Sequence, residues 1–152
     1  MFSEIFKLKE LSAKLGNDLS LIQASGGNTS IKLDGKLLVK ASGKKLKNAL
    51  NEDIFVSLDL IKIRNELAIN KSKKELNFKN ICGSSLRASI ETSLHAIMPY
   101  KVVLHTHSVD TIAITLISNS HNYLNKLMKD INWKFIPYYK PGITLALSLI
   151  HI

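Results

Sequence analysis

Apolar positions along the chain follow two different periods. Over residues 3–15, Ile5, Leu8, Leu11 and Leu15 fall on one side of a 3.6-residue helix, and Gly16-Asn17 ends it. Residues 18–24 predict a second, short helix, and Ser25-Gly26-Gly27-Asn28 is a turn. Residues 29–33 and 36–40 read as a hairpin closed by the two-residue loop Asp34-Gly35. Ala41-Ser42-Gly43 breaks the second strand, and residues 54–58 predict another. The polar, lysine-rich stretch 59–74 predicts no definite element.

The second half alternates similarly. Residues 89–98 read as a helix stopped by Pro99, and 101–104 as a buried strand. Residues 109–118 and 121–130 predict helices, 133–138 a strand, and Pro141-Gly142 a turn into a final helix. No repeat or linker is visible. Mixed strands and helices in one unit predict an α/β fold, a sheet covered by helices.

Composition changes this picture little. At 152 residues the chain suffices for one domain with a real core. The net charge of +9 raises the question of nucleic acid. Nearly all the positive charge is scattered lysine, as at Lys44, Lys45 and Lys47 or Lys71, Lys73 and Lys74, with Arg64 and Arg87 the only arginines. That pattern reads as a solvated surface that also attracts an anionic, phosphorylated substrate, not as a nucleic-acid groove. No apolar run is long enough to span a membrane. The start of the chain lacks the apolar core of a signal peptide, and Cys82 is alone, so a reducing, cytoplasmic setting is expected.

The candidate chemistry centres on Leu104-His105-Thr106-His107, with Glu91 upstream in Ser89-Ile90-Glu91-Thr92. Side chains two apart on a strand project to one side, so His105 and His107 are positioned to take one divalent metal. An H-x-H pair alone is a weak signal, since a histidine at a strand end is more often a hydrogen-bonded structural residue. Its context adds an acid on a helix start and two Gly/Ser/Asn turns, which present backbone N–H groups to an anion.

Together these segments resemble the class II aldolase/adducin family of zinc-dependent sugar-phosphate aldolases. The resembling pieces are Gly27-Asn28-Thr29-Ser30, Ala41-Ser42-Gly43, the segment Ser89-Ile90-Glu91-Thr92-Ser93-Leu94-His95, Val103-Leu104-His105-Thr106-His107-Ser108, and Ile136-Pro137-Tyr138 with Pro141-Gly142. They occur in the family's order over residues 5–146 and look nearest to the aldolase portion of rhamnulose-phosphate aldolase/alcohol dehydrogenase fusions. The resemblance implies a three-layer αβα sandwich with a central, mostly antiparallel sheet, a Zn2+ cofactor and a homotetramer. It implies His105 and His107 as zinc ligands and Glu91 as the base. Asn28, Ser42, Gly43 and Ser89 would hold a substrate phosphate by neutral hydrogen bonds. The reaction implied is reversible carbon–carbon cleavage of a phosphorylated ketose, with zinc stabilising an enediolate. The same scaffold supports sugar-phosphate 4-epimerases and dehydratases, and adducin-like relatives without the metal histidines are binding modules.

Two departures from the pattern stand out. Ile90 occupies the place of a second serine, removing one phosphate donor. The family's third zinc histidine is expected well beyond Pro141-Gly142, and His151 comes too early. Moreover, Leu147-Ser148-Leu149-Ile150-His151-Ile152 reads as a translation of a transposon mosaic end used in sequencing libraries. The expectation is therefore an incomplete domain over residues 1–146, a non-native stretch over 147–152, and a fragment inactive by itself. His95 is expected to pack or hydrogen-bond to its neighbours, His121 to sit on a helix surface, and Cys82 to be inert. Trp133, Phe135 and Tyr138 are expected in the core or a subunit contact.

Overall fold

Asp34 and Gly35 both take positive φ, 47° and 73°, the backbone that a tight two-residue hairpin loop requires. They join β1 (Asn28–Leu33) to β2 (Lys36–Lys40), in a register that pairs Leu33 with Lys36 and Ser30 with Val39. The computed structural model describes residues 2–69, 78 and 85–150. Cys82, His151 and the lysines at 71, 73 and 74 lie outside the described residues.

Two further strands complete the sheet. β3 (Phe55–Asp59) pairs with β2, and β4 (Val102–His105) with β1, giving the order β3-β2-β1-β4, antiparallel throughout. Helix α1 (Phe2–Gly16) lies on one face with a short 3-10 turn at Leu46–Asn48. There Leu8, Ala13, Ile22, Ile31, Leu46 and Ile54 form one buried cluster. On the opposite face, Leu37, Val39, Val56 and Leu58 pack with residues of α2 (Leu60–Ile69), α3 (Thr92–Ile97) and α6 (Ile143–Ser148). Alternation along β2 explains the split: Leu37 and Val39 point one way, while Leu38 joins the α1 side. Burying each such side chain contributes about 1.5–3 kcal/mol. After β4 the chain forms α4 (Val109–Thr115) and α5 (Ser120–Leu127).

Most expected elements are present, within a few residues of the ends predicted. Residues 18–24 form a single turn instead of a helix: the Asp18 carboxylate caps it by accepting from the backbone N–H and the hydroxyl of Ser20, and Ala24 leaves helical backbone at φ +53°. The buried side of α1 is Leu8, Ser12, Ala13 and Gly16, rotated from the stripe of leucines. Gly16 is needed there, since a Cβ on it would lie 2.1 Å from Lys47 N. Residues 133–138 form no strand. Instead of joining a ladder, Trp133 and Phe135 pack at tilted angles against the exposed His121, with ring centroids 6.0 and 5.2 Å away. Tyr138 is 87% exposed, so it is not a core residue.

Candidate metal centre

The register between β1 and β4 sets the site. Asn28 lies directly opposite His105, and Ser30 opposite Val103. Directly opposed residues of an antiparallel pair project to the same face. Asn28, Ser30 and His105 thus share the face covered by α3, and Thr29 turns to the other side, where its hydroxyl meets Ser12 Oγ at 2.7 Å.

Helix α3 completes the arrangement. Glu91 immediately precedes it and His95 sits one turn on, so both reach the same strip of sheet. Glu91 Oε1 is 2.9 Å from His105 Nδ1, and both side chains are about three-quarters buried. The two atoms face each other, and His105 Nδ1 is buried with no hydrogen bond satisfying it. His95 is fully buried, with Nδ1 2.7 Å from Ser30 Oγ and Nε2 unpartnered. One ligating atom from each of Glu91, His95 and His105 lies within 4.8 Å of the others.

The charges follow from this packing. Burial pushes the Glu91 carboxyl up, but the adjoining His105, the Asn28 amide and His95 outweigh it and hold the group at about 2. Burial drives His95 down to about 3, partly opposed by the Glu91 charge. His95 is therefore neutral at physiological pH, the form that ligates metals.

His107 stands two residues past the end of β4. Its ring centroid is 5.0 Å from that of His105, and its ligating atoms lie outside the close trio. Its backbone N–H donates to Leu21 O at 2.8 Å, which ties the segment after β4 to the turn before β1. Gly27 makes that approach possible: its φ is +66°, and a Cβ there would lie 2.2 Å from Ile22 Cδ1 and 2.9 Å from His105 O.

Beside the trio opens a cavity of about 420 Å3. Ser42, Gly43, Ser89 and Glu91 line it, together with Lys40, Arg87 and Ile90. Asn28 is fully buried and off that wall; its Oδ1 accepts from Lys40 N at 3.1 Å and its Nδ2 donates to Ser89 Oγ at 2.9 Å. Its amide thereby locks the two turns together. The sequence reading of His95 as a hydrogen-bonded residue holds, yet it missed that the same ring faces Glu91 and His105. The four-residue spacing from Glu91 was the available signal. Lys40 and Arg87 were also missed, and nothing in their local pattern marks them.

The residues present suit a divalent ion. Two buried imidazole nitrogens without partners and one ionised carboxylate make an N/N/O donor set, of the kind zinc accepts. A buried polar atom left unsatisfied costs about 1–3 kcal/mol, which a bound cation would relieve.

Comparison with known proteins agrees with this architecture. Residues 7–151 match the family model described as the Class II Aldolase and Adducin N-terminal domain. A protein of Bacillus subtilis (strain 168) called "uncharacterized oxidoreductase YuxG" is 32% identical over 146 residues, 87% of this chain. The match spans only 21% of that longer protein. Among solved structures, the N-terminal class II aldolase domain of a conserved Thermoplasma acidophilum protein superposes with a TM-score of 0.80 at 27% identity, over 97% of this chain and 74% of that one. YgbL of Escherichia coli, described as a putative aldolase/epimerase/decarboxylase, shares the fold at a TM-score of 0.66 and 18% identity, over 98% of this chain and 69% of its own. With its four-stranded antiparallel sheet between helices and its Glu/His cluster at the edge, the chain belongs to the class II aldolase and adducin N-terminal domain family.

Proposed function

We propose that this chain carries the metal and anion sites of a zinc-dependent lyase that reversibly cleaves a carbon–carbon bond in a phosphorylated ketose. The observation that carries the reading is the convergence of Glu91, His95 and His105, with Glu91 also lining the cavity that Ser42, Gly43 and Ser89 line. His105 and His107 would hold the metal, with His95 facing the same place. When bound, the ion supplies Lewis acidity toward the substrate's carbonyl and hydroxyl oxygens.

The chain's own residues do the rest. Ser42, Ser89 and the Gly43 backbone bind the phosphate, and Asn28 holds their turns in register through Lys40 and Ser89. Glu91 is ionised at neutral pH and so is ready to accept the proton next to the carbonyl. A carboxyl held near 2 is a weak base, and an anionic substrate arriving in the adjoining cavity raises it toward a useful range.

The homotetramer belongs to the same proposal. Exposed Leu104, Val109, Ile112 and Leu116, on and just after β4, support a subunit contact there. No described helix is long and apolar enough to cross a membrane. The proposed setting is cytoplasmic.

The test is zinc uptake measured against a chelating dye, followed by product analysis with ketose 1-phosphates. The expected result is one zinc per chain, lost in His105→Gln and weakened in Glu91→Gln. Release of a triose phosphate marks cleavage, whereas an inverted sugar phosphate would replace this reading with the epimerase. No zinc uptake at micromolar metal would overturn it in favour of a non-catalytic, adducin-like role.

A further inference from the structure

Two cations stand on the cavity wall without a carboxylate bonded to either among the described residues. Lys40 is 2% exposed, and its ammonium donates only to carbonyls: Lys44 O at 2.9 Å, Ser25 O at 3.1 Å and Ala41 O at 3.5 Å. Its charge is thus fixed between the turn before β1 and the turn after β2. The Glu91 charge acts on it without bonding to it, and a buried cation whose hydrogen bonds all go to neutral groups favours a further anion nearby.

Arg87 is placed by the backbone. Ala41 and Ala88 form an isolated antiparallel bridge, and Ser42 N donates to Arg87 O at 2.9 Å. This sets the Arg87 side chain beside Ser42, where Nη2 donates to Ser42 Oγ over a long 3.4 Å. The remaining guanidinium donors are uncommitted among the described residues. A planar guanidinium matches two phosphate oxygens at once. Ile90, 48% exposed, occupies the same wall and offers no donor.

We propose that Arg87 clamps the dianionic end of the substrate, with Lys40 behind it supplying a fixed positive field. The cavity thereby selects phosphate monoesters over neutral sugars and offsets the hydroxyl that Ile90 lacks. This rests on reading the cavity as the seat of the substrate's anionic end; it adds the charges that recognise that end. Arg87 binds directly. Lys40, already saturated by carbonyls, acts through its charge and by holding the two turns together.

The test uses inorganic phosphate as the probe, titrated calorimetrically into the whole chain at low salt and pH 8. Arg87→Gln is expected to weaken phosphate about tenfold or more, the scale of one charged hydrogen bond. The thermal midpoint should not move, because the side chain is at the cavity mouth. Arg87→Lys should recover part of the affinity, and adding Ile90→Ser to Arg87→Gln should recover some as well. Unchanged phosphate affinity in Arg87→Gln, or no phosphate binding by the parent chain at millimolar concentration, would overturn the proposal. No metal is needed for this titration. Arg87-dependent phosphate binding without zinc uptake would uphold it while removing the lyase reading. Zinc uptake with Arg87-independent phosphate binding would do the reverse.

Discussion

Ser30 Oγ lies 2.7 Å from His95 Nδ1 inside the protein, and this bond decides which nitrogen of His95 is left for the site. With Nδ1–H donating to the hydroxyl, Nε2 keeps its lone pair. Orienting bonds of this kind on the far side of a ligating imidazole commonly govern metal affinity. Ser30→Ala is therefore expected to lower zinc affinity about tenfold or more. It should cost about 1–3 kcal/mol of stability, because the buried Nδ1 loses its partner. Chelator competition and urea unfolding on one preparation separate the two effects. Equal zinc affinity in both proteins would remove His95 from the metal site.

Removing one partner of the Glu91–His105 contact acts on metal binding more than on folding. His105→Gln should abolish the stabilisation zinc confers on melting. In the parent, zinc at a hundred times its dissociation constant should add about 2.7 kcal/mol, reversed by EDTA. A melting shift of the same size in His105→Gln would place the zinc elsewhere.

Acid should destabilise the metal-free chain in two stages of the same sign. His95 stays neutral when folded down to about pH 3 but takes a proton when unfolded below its ordinary 6.5. Stability therefore falls as pH drops from 6.5, by up to about 1.4 kcal/mol per pH unit. Glu91 has a folded value of about 2 against an ordinary 4.5, so its contribution is present above 4.5 and is lost as pH falls from there to 2. His95→Asn should flatten the slope between pH 6.5 and 4.5 and leave the lower stage in place. Urea midpoints at pH 7, 6, 5 and 4 give the comparison; identical slopes would contradict the His95 assignment.

Gly27 connects packing to chemistry. Gly27→Ala would force a Cβ against Ile22 and the His105 carbonyl at a positive φ. The expected cost is about 1–3 kcal/mol. Zinc affinity should fall as well, because β4 must move. Gly35, also at positive φ but with nothing within 4 Å, controls for backbone strain alone. Gly35→Ala should lose stability and keep its zinc affinity.

Much of the fold was legible because its causes are short-range. The Asp34-Gly35 loop, the helix that Gly16 ends and the strand leading into His105 follow from sterics and from periodicity a few residues long. The ordered motifs were also enough to point to the family that the whole-chain comparison establishes. Where local reasoning failed, the backbone turned away early, as when Ala24 took a positive φ and left the segment capped by Asp18 as one turn.

By itself, the sequence determined most of the elements, the order of the motifs and the presence of a histidine pair behind an acid. Tertiary structure alone decided that Asn28 faces His105 across the sheet, that α3 covers this face, and that Arg87 lies beside Ser42. It also decided that His95 joins Glu91 and His105, and that Trp133 and Phe135 pack against His121 instead of extending the sheet. The physical reason is that alternation tells which residues of a strand share a face. Which neighbour and which helix that face meets depends on pairings between segments far apart in the chain, and these are settled only when the whole core packs.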